Sequence, residues 1–211
     1  MIKKSIQYDP HSQTYHISHT IISIVKFKEI SNVLTYNLMQ LLTQIFHKPD
    51  LSLSGKTVTR EAVRAIILRG DQVLMVYSTL NGDYKFPGGG VKREEAHATA
   101  LKREVLEECG VRLIRIIAEF GRVEEYDLAQ EDEFDLFRMN SYYYLCEVGD
   151  GFGAQNLDDY EYEYGFQPEW VSVEHAIAVN RALLENPPPN IQRWVRRELF
   201  VLEQLKILEE K

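Results

Sequence analysis

One segment, residues 86–111, constrains the fold of this chain more than any other, because it joins a glycine turn to a strongly helical stretch. The turn is a run of three glycines: Gly88, Gly89 and Gly90. Residues 94–108 then have a helical composition, and Gly110 predicts the end of that helix. A glycine-rich turn that leads into a helix often binds anions, so we expect the three glycines to contact substrate. A simple tight turn would also account for the glycine run.

The predicted helix carries three carboxylates on one face, because Glu104, Glu107 and Glu108 are spaced i, i+3 and i+4. A neighbouring face carries apolar residues that are expected to pack into a core: Ala98, Leu101, Val105 and Cys109. Adjacent like charges repel each other, and the helix dipole disfavours anions in the last turns. The arrangement is therefore typical of a cation site, with Mg²⁺ preferred and Mn²⁺ as a substitute, although a solvated acidic helix end has the same pattern.

Two further charged residues belong to this segment. Arg103 lies on the flank of the acidic face, and Glu95 precedes it by eight residues. We expect a contact between these two side chains to hold the loop and the helix rigid, and its geometry is easier if Glu95 lies in the loop or the first turn.

The spacing of these residues resembles the signature of the Nudix hydrolase family at every defined position: Gly89, five residues, Glu95, seven residues, then Arg103 to Val111. The resemblance covers residues 57 to about 180 and implies an α/β/α sandwich on a mixed sheet. It also implies hydrolysis of a nucleoside diphosphate linked to another moiety, with Mg²⁺ or Mn²⁺ as cofactor. The metal ligands that it implies are Glu104, Glu107, Glu108 and the carbonyl of Gly89. Glu95 and Arg103 become supports that orient Glu104.

The resemblance leaves the general base open. Within this signature from Gly89 to Val111, called the box below, the general base is predicted to be Glu104, which would accept a proton from the attacking water. Some family members instead use a carboxylate from a distal loop, and Glu161 and Glu163 are the predicted residues for that role. An acidic loop that only contacts solvent is the alternative for these two residues.

Strand-like and helical segments alternate around the box, which predicts a mixed α/β domain. The predicted strands are 61–68, 72–77, 111–117, 141–147 and 170–172, the first two forming a hairpin. We assign residues 56–211 to this domain and expect a C-terminal helix over 191–210.

Residues 1–55 are predicted to form an N-terminal extension outside the resemblance. It contains two short strand-like pieces, followed by apolar residues at steps of three and four from Ile30 to Phe46. This spacing predicts an amphipathic helix that ends before Pro49. Its apolar stripe either packs on the core of its own chain or is exchanged across a homodimer.

Charge limits the partners of the chain. The 24 basic and 32 acidic side chains give a formal charge of −8, which disfavours stable binding to nucleic acid or to an anionic membrane. No apolar run approaches the ~20 residues needed to span a bilayer. Two widely spaced cysteines are expected to be reduced thiols, which predicts a cytoplasmic protein. The small nucleotide-type substrate is what the resemblance to the Nudix family implies.

Two other functions compete with hydrolysis of a small nucleotide. A non-catalytic nucleotide-binding regulator would tolerate losses in the box, and this sequence shows none. Decapping of RNA 5′ ends would need a basic groove, for which only three arginines in the C-terminal helix are available: Arg193, Arg196 and Arg197. Twelve tyrosines offer aromatic faces for a nucleobase, but nothing selects one nucleobase.

Overall fold

The computed structural model describes residues 39–209, in which seven strands and four helices form an α/β fold. The strands are β1 (Leu41–Phe46), β2 (Thr57–Arg69), β3 (Gln72–Ser78), β4 (Tyr84–Lys85), β5 (Leu113–Leu128), β6 (Leu136–Val148) and β7 (Phe166–Ser172). The helices are α1 (His97–Cys109), α2 (Asp159–Tyr164), α3 (Val173–Glu185) and α4 (Trp194–Glu209).

The sheet is mixed, as predicted. Its hydrogen-bonded order is β1-β5-β6-β2-β3-β4, and β7 pairs with β3. β2 runs parallel to β6 along most of its length, whereas β5 is antiparallel to β6. The predicted hairpin between β2 and β3 is confirmed only at its turn, where Leu68 and Arg69 pair with β3. Beyond that point β3 leaves β2 and pairs with β4 and β7, which makes room beside β2 for the glycine loop.

Helices cover both faces of the sheet because the side chains of a strand alternate between its two sides. On β2, Val63, Ala65 and Ile67 pack in the same core as residues of α1. Ile66 points to the opposite face and packs in the core that includes α3 and α4. The predicted apolar face of α1 is confirmed, except that Ala98 is exposed and Ala100 is buried instead. The predicted α/β/α arrangement is thus confirmed.

The predicted N-terminal helix is wrong over its last six residues, because Leu41–Phe46 form strand β1. These residues pair in parallel with β5, and Ile45 is buried in the core. An apolar spacing of one, three and four residues fits both a helix and a short strand, and tertiary pairing decides between them. Gly121 of β5 assists this pairing, since a Cβ there would lie 2.5 Å from Cγ of Leu42. The rest of the predicted helix and the two short strand-like pieces fall outside the described residues.

The C-terminal part agrees with the sequence. The predicted terminal helix is confirmed as α4, which begins at Trp194 rather than at residue 191. Its buried stripe packs against the sheet through Leu199, Leu202 and Leu205. The predicted boundary between residues 55 and 56 stays a prediction, and β1 joins the sheet from the N-terminal side of it. Both cysteines are buried free thiols, as predicted. Within residues 39–209, each helix is too short or too polar to cross a bilayer.

Candidate functional site

The glycine loop lies against β2 as if it were an additional strand. Three backbone hydrogen bonds hold it there: Ala65 N to Pro87 O at 2.8 Å, Val63 N to Gly89 O at 3.0 Å, and Val91 N to Glu61 O at 2.9 Å. The loop is thus fixed to the part of β2, from Ala62 to Ile67, that is buried, which gives its backbone groups defined positions.

Gly88 and Gly90 provide a matched test of this packing. Gly88 has φ 141°, and a Cβ there would lie 2.0 Å from the carbonyl oxygen of Val63, whereas a Cβ at Gly90 meets nothing within 4 Å. We expect Gly88→Ala to cost about 3 kcal/mol or more, a fall in Tm of about 6–12 °C. Gly90→Ala should change Tm by less than about 2 °C. Thermal unfolding followed by circular dichroism measures both, and equal Tm values for the two variants would contradict this account of the loop.

Three buried carboxylates converge beside the loop. Glu104, Glu108 and Glu161 each offer a carboxylate oxygen, and these atoms lie within 4.8 Å of one another. Glu108 is fully buried, and its two oxygens accept hydrogen bonds from Lys85 Nζ at 2.5 Å and from Gly88 N at 2.8 Å. This group of three is called the carboxylate cluster below.

A single arginine joins the loop to the helix. Arg103 donates two hydrogen bonds to Glu95, at 2.9 and 2.8 Å, and a third to the carbonyl of Gly90 at 3.0 Å. It also contacts Glu104 at 2.5 Å and Glu107 at 3.3 Å. The hydrogen bonds from Arg103 hold the pKa of Glu95 at about 2. The predicted contact between Glu95 and Arg103 is therefore confirmed, and Glu95 lies in the loop before α1, where the geometry allows it.

The structure separates the acidic residues that the sequence grouped together. Glu161 lies in the carboxylate cluster, whereas Glu163 is exposed two residues later on α2. Glu107 is half-buried beside Arg103 and is not a member of the cluster. The metal-binding and catalytic roles of these residues stay predictions, but their positions now distinguish them.

Glu161 is held by the start of its own helix. Its carboxylate accepts a hydrogen bond from the backbone N–H of Asp158 at 2.9 Å, while the Asp158 side chain caps the same turn in return. The Tyr160 hydroxyl donates to the second oxygen of Glu161 at 3.1 Å. A helix of six residues thus fixes the direction of the third carboxylate.

Burial destabilises the ionised form of the carboxyl groups in the carboxylate cluster. It raises the pKa of Glu104 above its ordinary value, against the opposing charges of Arg103, Arg64 and Lys85. Burial also raises the pKa of Glu161, and the negative charge of Glu108 adds to that effect. Carboxylates whose ionised form is disfavoured in this way gain from a bound cation.

The donor set fits a hard divalent cation. Three carboxylates supply oxygen ligands of the type that Mg²⁺ and Mn²⁺ prefer. At Gly89 a Cβ would lie 2.4 Å from Oε2 of Glu104, so only glycine lets the backbone approach that carboxylate so closely. The Gly89 carbonyl accepts one hydrogen bond from Val63, and its second lone pair has no hydrogen-bond partner among residues 39–209, so it could bind a cation.

The sequence pattern did not reveal two buried cations near the carboxylate cluster, Lys85 and Arg64. Lys85 contacts Glu108 and lies over the ring of Phe166, with Nζ 4.4 Å from the ring centroid. Arg64 is a buried cation on β2. A sequence signal did exist for Arg64, because it is one charged residue within the apolar run of β2 from Ala62 to Leu68.

A cleft of about 760 Å³ opens next to the cluster and reaches Lys85, Gly89 and Tyr160. Its walls carry six basic side chains: Arg60, Arg64, Lys85, Lys92, Arg93 and Arg197. Its acidic side chains are Glu61, Glu94 and Glu95. The cleft therefore has a basic lining in a chain whose formal charge is −8, which suits an anionic ligand.

Comparison with known proteins agrees with this architecture. A model of the NUDIX domain matches residues 58–195. Diphosphoinositol polyphosphate phosphohydrolase 3-beta of Bos taurus is 33% identical over 116 residues, which are 53% of this chain and 61% of that protein. RNA pyrophosphohydrolase of Helicobacter pylori (strain G27) is 36% identical over 82 residues, 37% of this chain and 51% of that protein. The chain thus spans about half to three fifths of the length of these curated relatives.

Two solved structures are also similar. One is a NUDIX hydrolase from Nitrosomonas europaea, with a TM-score of 0.48 and 18% identity, covering 72% of this chain and 89% of that one. The other is the MutT NUDIX hydrolase from Burkholderia pseudomallei, with a TM-score of 0.45 and 20% identity, covering 67% of this chain and 96% of that one.

Proposed function

The chain belongs to the NUDIX family, and from that premise we propose that it hydrolyses the diphosphate linkage of a nucleoside-diphosphate-type substrate with the help of a divalent cation. The observation that carries the proposal is the convergence of Glu104, Glu108 and Glu161 beside the glycine loop. The two curated relatives support it, since one is an RNA pyrophosphohydrolase and the other a diphosphoinositol polyphosphate phosphohydrolase.

The cation in this proposal is Mg²⁺, with Mn²⁺ as a substitute. Glu104, Glu108 and the Gly89 carbonyl are the proposed ligands, with Glu107 adjacent and Glu161 completing the set. When bound, the cation screens the phosphate oxygens and acidifies the attacking water. The basic lining of the cleft supports a substrate with several negative charges.

The protein's own groups orient the reactants. Arg103 fixes Glu104 through a direct contact and ties it to Glu95 and to the loop. We infer that Glu104 or Glu161 accepts a proton from the attacking water, and the convergence of their carboxylates from two different helices supports this. Glu163 is exposed, which favours Glu161 for the distal role.

Substrate identity is tested with a panel of phosphoanhydrides. It contains nucleoside triphosphates, ADP-ribose, dinucleoside polyphosphates, nucleotide sugars, diphosphoinositol polyphosphate and 5′-triphosphate RNA. We expect at least one small nucleotide to be hydrolysed with Mg²⁺, the rate to fall to background in EDTA, and excess Mg²⁺ to restore it. Mass spectrometry of the products identifies the bond that is broken.

Turnover that persists in EDTA would contradict the metal mechanism. Tight binding of nucleotides without turnover would favour the alternative, a non-catalytic regulatory domain. Preference for 5′-triphosphate RNA over every small nucleotide would contradict the expected substrate class. The cytoplasmic location, the homodimer and the lack of stable nucleic-acid binding stay predictions of the sequence.

A further inference from the structure

Arg64 is buried in the sheet, where a charged side chain is energetically unfavourable unless it has a partner. It lies in the interior of β2 between Val63 and Ala65, and only 9% of it is exposed. By strand alternation its side chain shares the face of Ile66, toward α4, and it lines the cleft. Its Nη1 donates a hydrogen bond to the carbonyl of Gly88, which holds the guanidinium beside the glycine loop.

The guanidinium is only partly satisfied. Its Nε is buried and has no hydrogen-bond partner among the described residues. Arg64 also forms no ion pair within the described part of the chain, although the charge of Arg64 acts on Glu104 and Tyr160. Removing a cation from water without a partner is costly, so a folded protein rarely keeps one without a ligand.

The other buried cations that line the cleft are paired. Lys85 contacts Glu108 at 2.5 Å. Arg197 contacts Glu125 and Glu198, each at 2.5 Å. Among the buried basic residues that line the cleft in residues 39–209, Arg64 is therefore the one without an ionic partner, and its charge is available to an anionic ligand in the cleft.

We propose that Arg64 is a substrate-binding residue that holds a phosphate group of the diphosphate through its guanidinium group, an inference that rests on the proposed function. Arginine suits this task because its planar fork matches two phosphate oxygens at once. The hydrogen bond to Gly88 fixes the fork before substrate arrives, so little entropy is lost on binding. Arg64 lies outside ion-pair distance of the carboxylate cluster. A cation bound in the cluster and the guanidinium of Arg64 could therefore contact the same phosphate from different directions.

The test compares two arginines of the same strand. Arg64→Met removes the buried cation, and Arg69→Met removes an exposed arginine at the end of the same strand that does not line the cleft and pairs with Asp150 at 3.5 Å. The probe is methylenediphosphonate, whose P–CH₂–P unit cannot be hydrolysed, titrated by calorimetry in the presence of Mg²⁺. Steady-state kinetics with the best substrate of the panel and thermal unfolding complete the set.

We expect Arg64→Met to weaken probe binding and to raise KM by about 10- to 100-fold, while kcat falls less than about threefold. Its Tm should equal or exceed that of the wild type, because a buried charge without an ionic partner is removed. Arg69→Met should change the dissociation constant of the probe and KM by less than about threefold, because this exposed arginine lies outside the cleft.

Three outcomes would overturn the inference. The first is an unchanged dissociation constant and KM in Arg64→Met, and the second is a wild-type protein that does not bind the probe. The third is a fall in Tm and kcat with unchanged KM, which is the result for an arginine that only supports the loop. If the wild type hydrolyses no substrate but Arg64→Met still loses the probe, the proposed function fails and the assignment of Arg64 stands.

Discussion

Glu108→Gln is expected to lower kcat by about 10³-fold or more, the largest effect of any single substitution in this chain. The carboxylate is a proposed metal ligand, and loss of several kcal/mol of transition-state stabilisation by the cation corresponds to a factor of this size. Glutamine keeps the shape and still accepts the hydrogen bond from Gly88 N, so the change tests the charge. Steady-state kinetics at saturating Mg²⁺ measure it.

A second variant keeps this test informative if the first is unstable. Glu108 is paired with the buried Lys85, and removal of one partner of such a pair leaves an uncompensated charge. We therefore expect Glu108→Gln to lower Tm and the double variant Lys85→Met/Glu108→Gln to recover most of the loss. Both should remain inactive. Recovery of turnover in the double variant would show that Glu108 serves the fold and not the metal.

Glu161→Gln is expected to lower kcat by about 100-fold or more, and Glu163→Gln to change it by less than twofold. The two residues lie on the same short helix, but only Glu161 joins the carboxylate cluster. Glutamine at 161 can still accept the hydrogen bond from Asp158 N, so the start of the helix should be preserved and Tm should change little.

These two variants test whether activity depends on the position of one carboxylate or on the overall acidity of the segment. If Glu163→Gln were as damaging as Glu161→Gln, general acidity of the segment would matter rather than the placed carboxylate. Wild-type kcat in Glu161→Gln would leave Glu104 as the general base and would remove Glu161 from the site.

The parts of the site that are local in sequence were predictable. Helical periodicity places Glu104 and Glu108 on one face, Gly110 ends the helix in the left-handed conformation, and Glu95 reaches Arg103 across the loop. Each of these features depends on residues within one segment of about two dozen positions. Their geometry follows from helix dimensions and glycine chemistry alone.

The parts that depend on tertiary structure were not predictable. Lys85 meets Glu108, and Glu161 meets both box carboxylates, only because the sheet brings β4, α1 and α2 together. The spacing of the acids at 161 and 163 did not say which would point inward. β1 was mistaken for a helix for the same reason, since its pairing with β5 decides its conformation.

Because Glu161 lies in the first turn of α2, the parts of the site differ in their local thermal stability. The loop and α1 rest on the central strand, whereas the third carboxylate depends on a helix barely longer than one turn. Unwinding a short helix requires much less free energy than opening a central strand of the sheet. The proposed catalysis should therefore fade on warming while most of the molecule is still folded, and return without refolding when the protein is cooled.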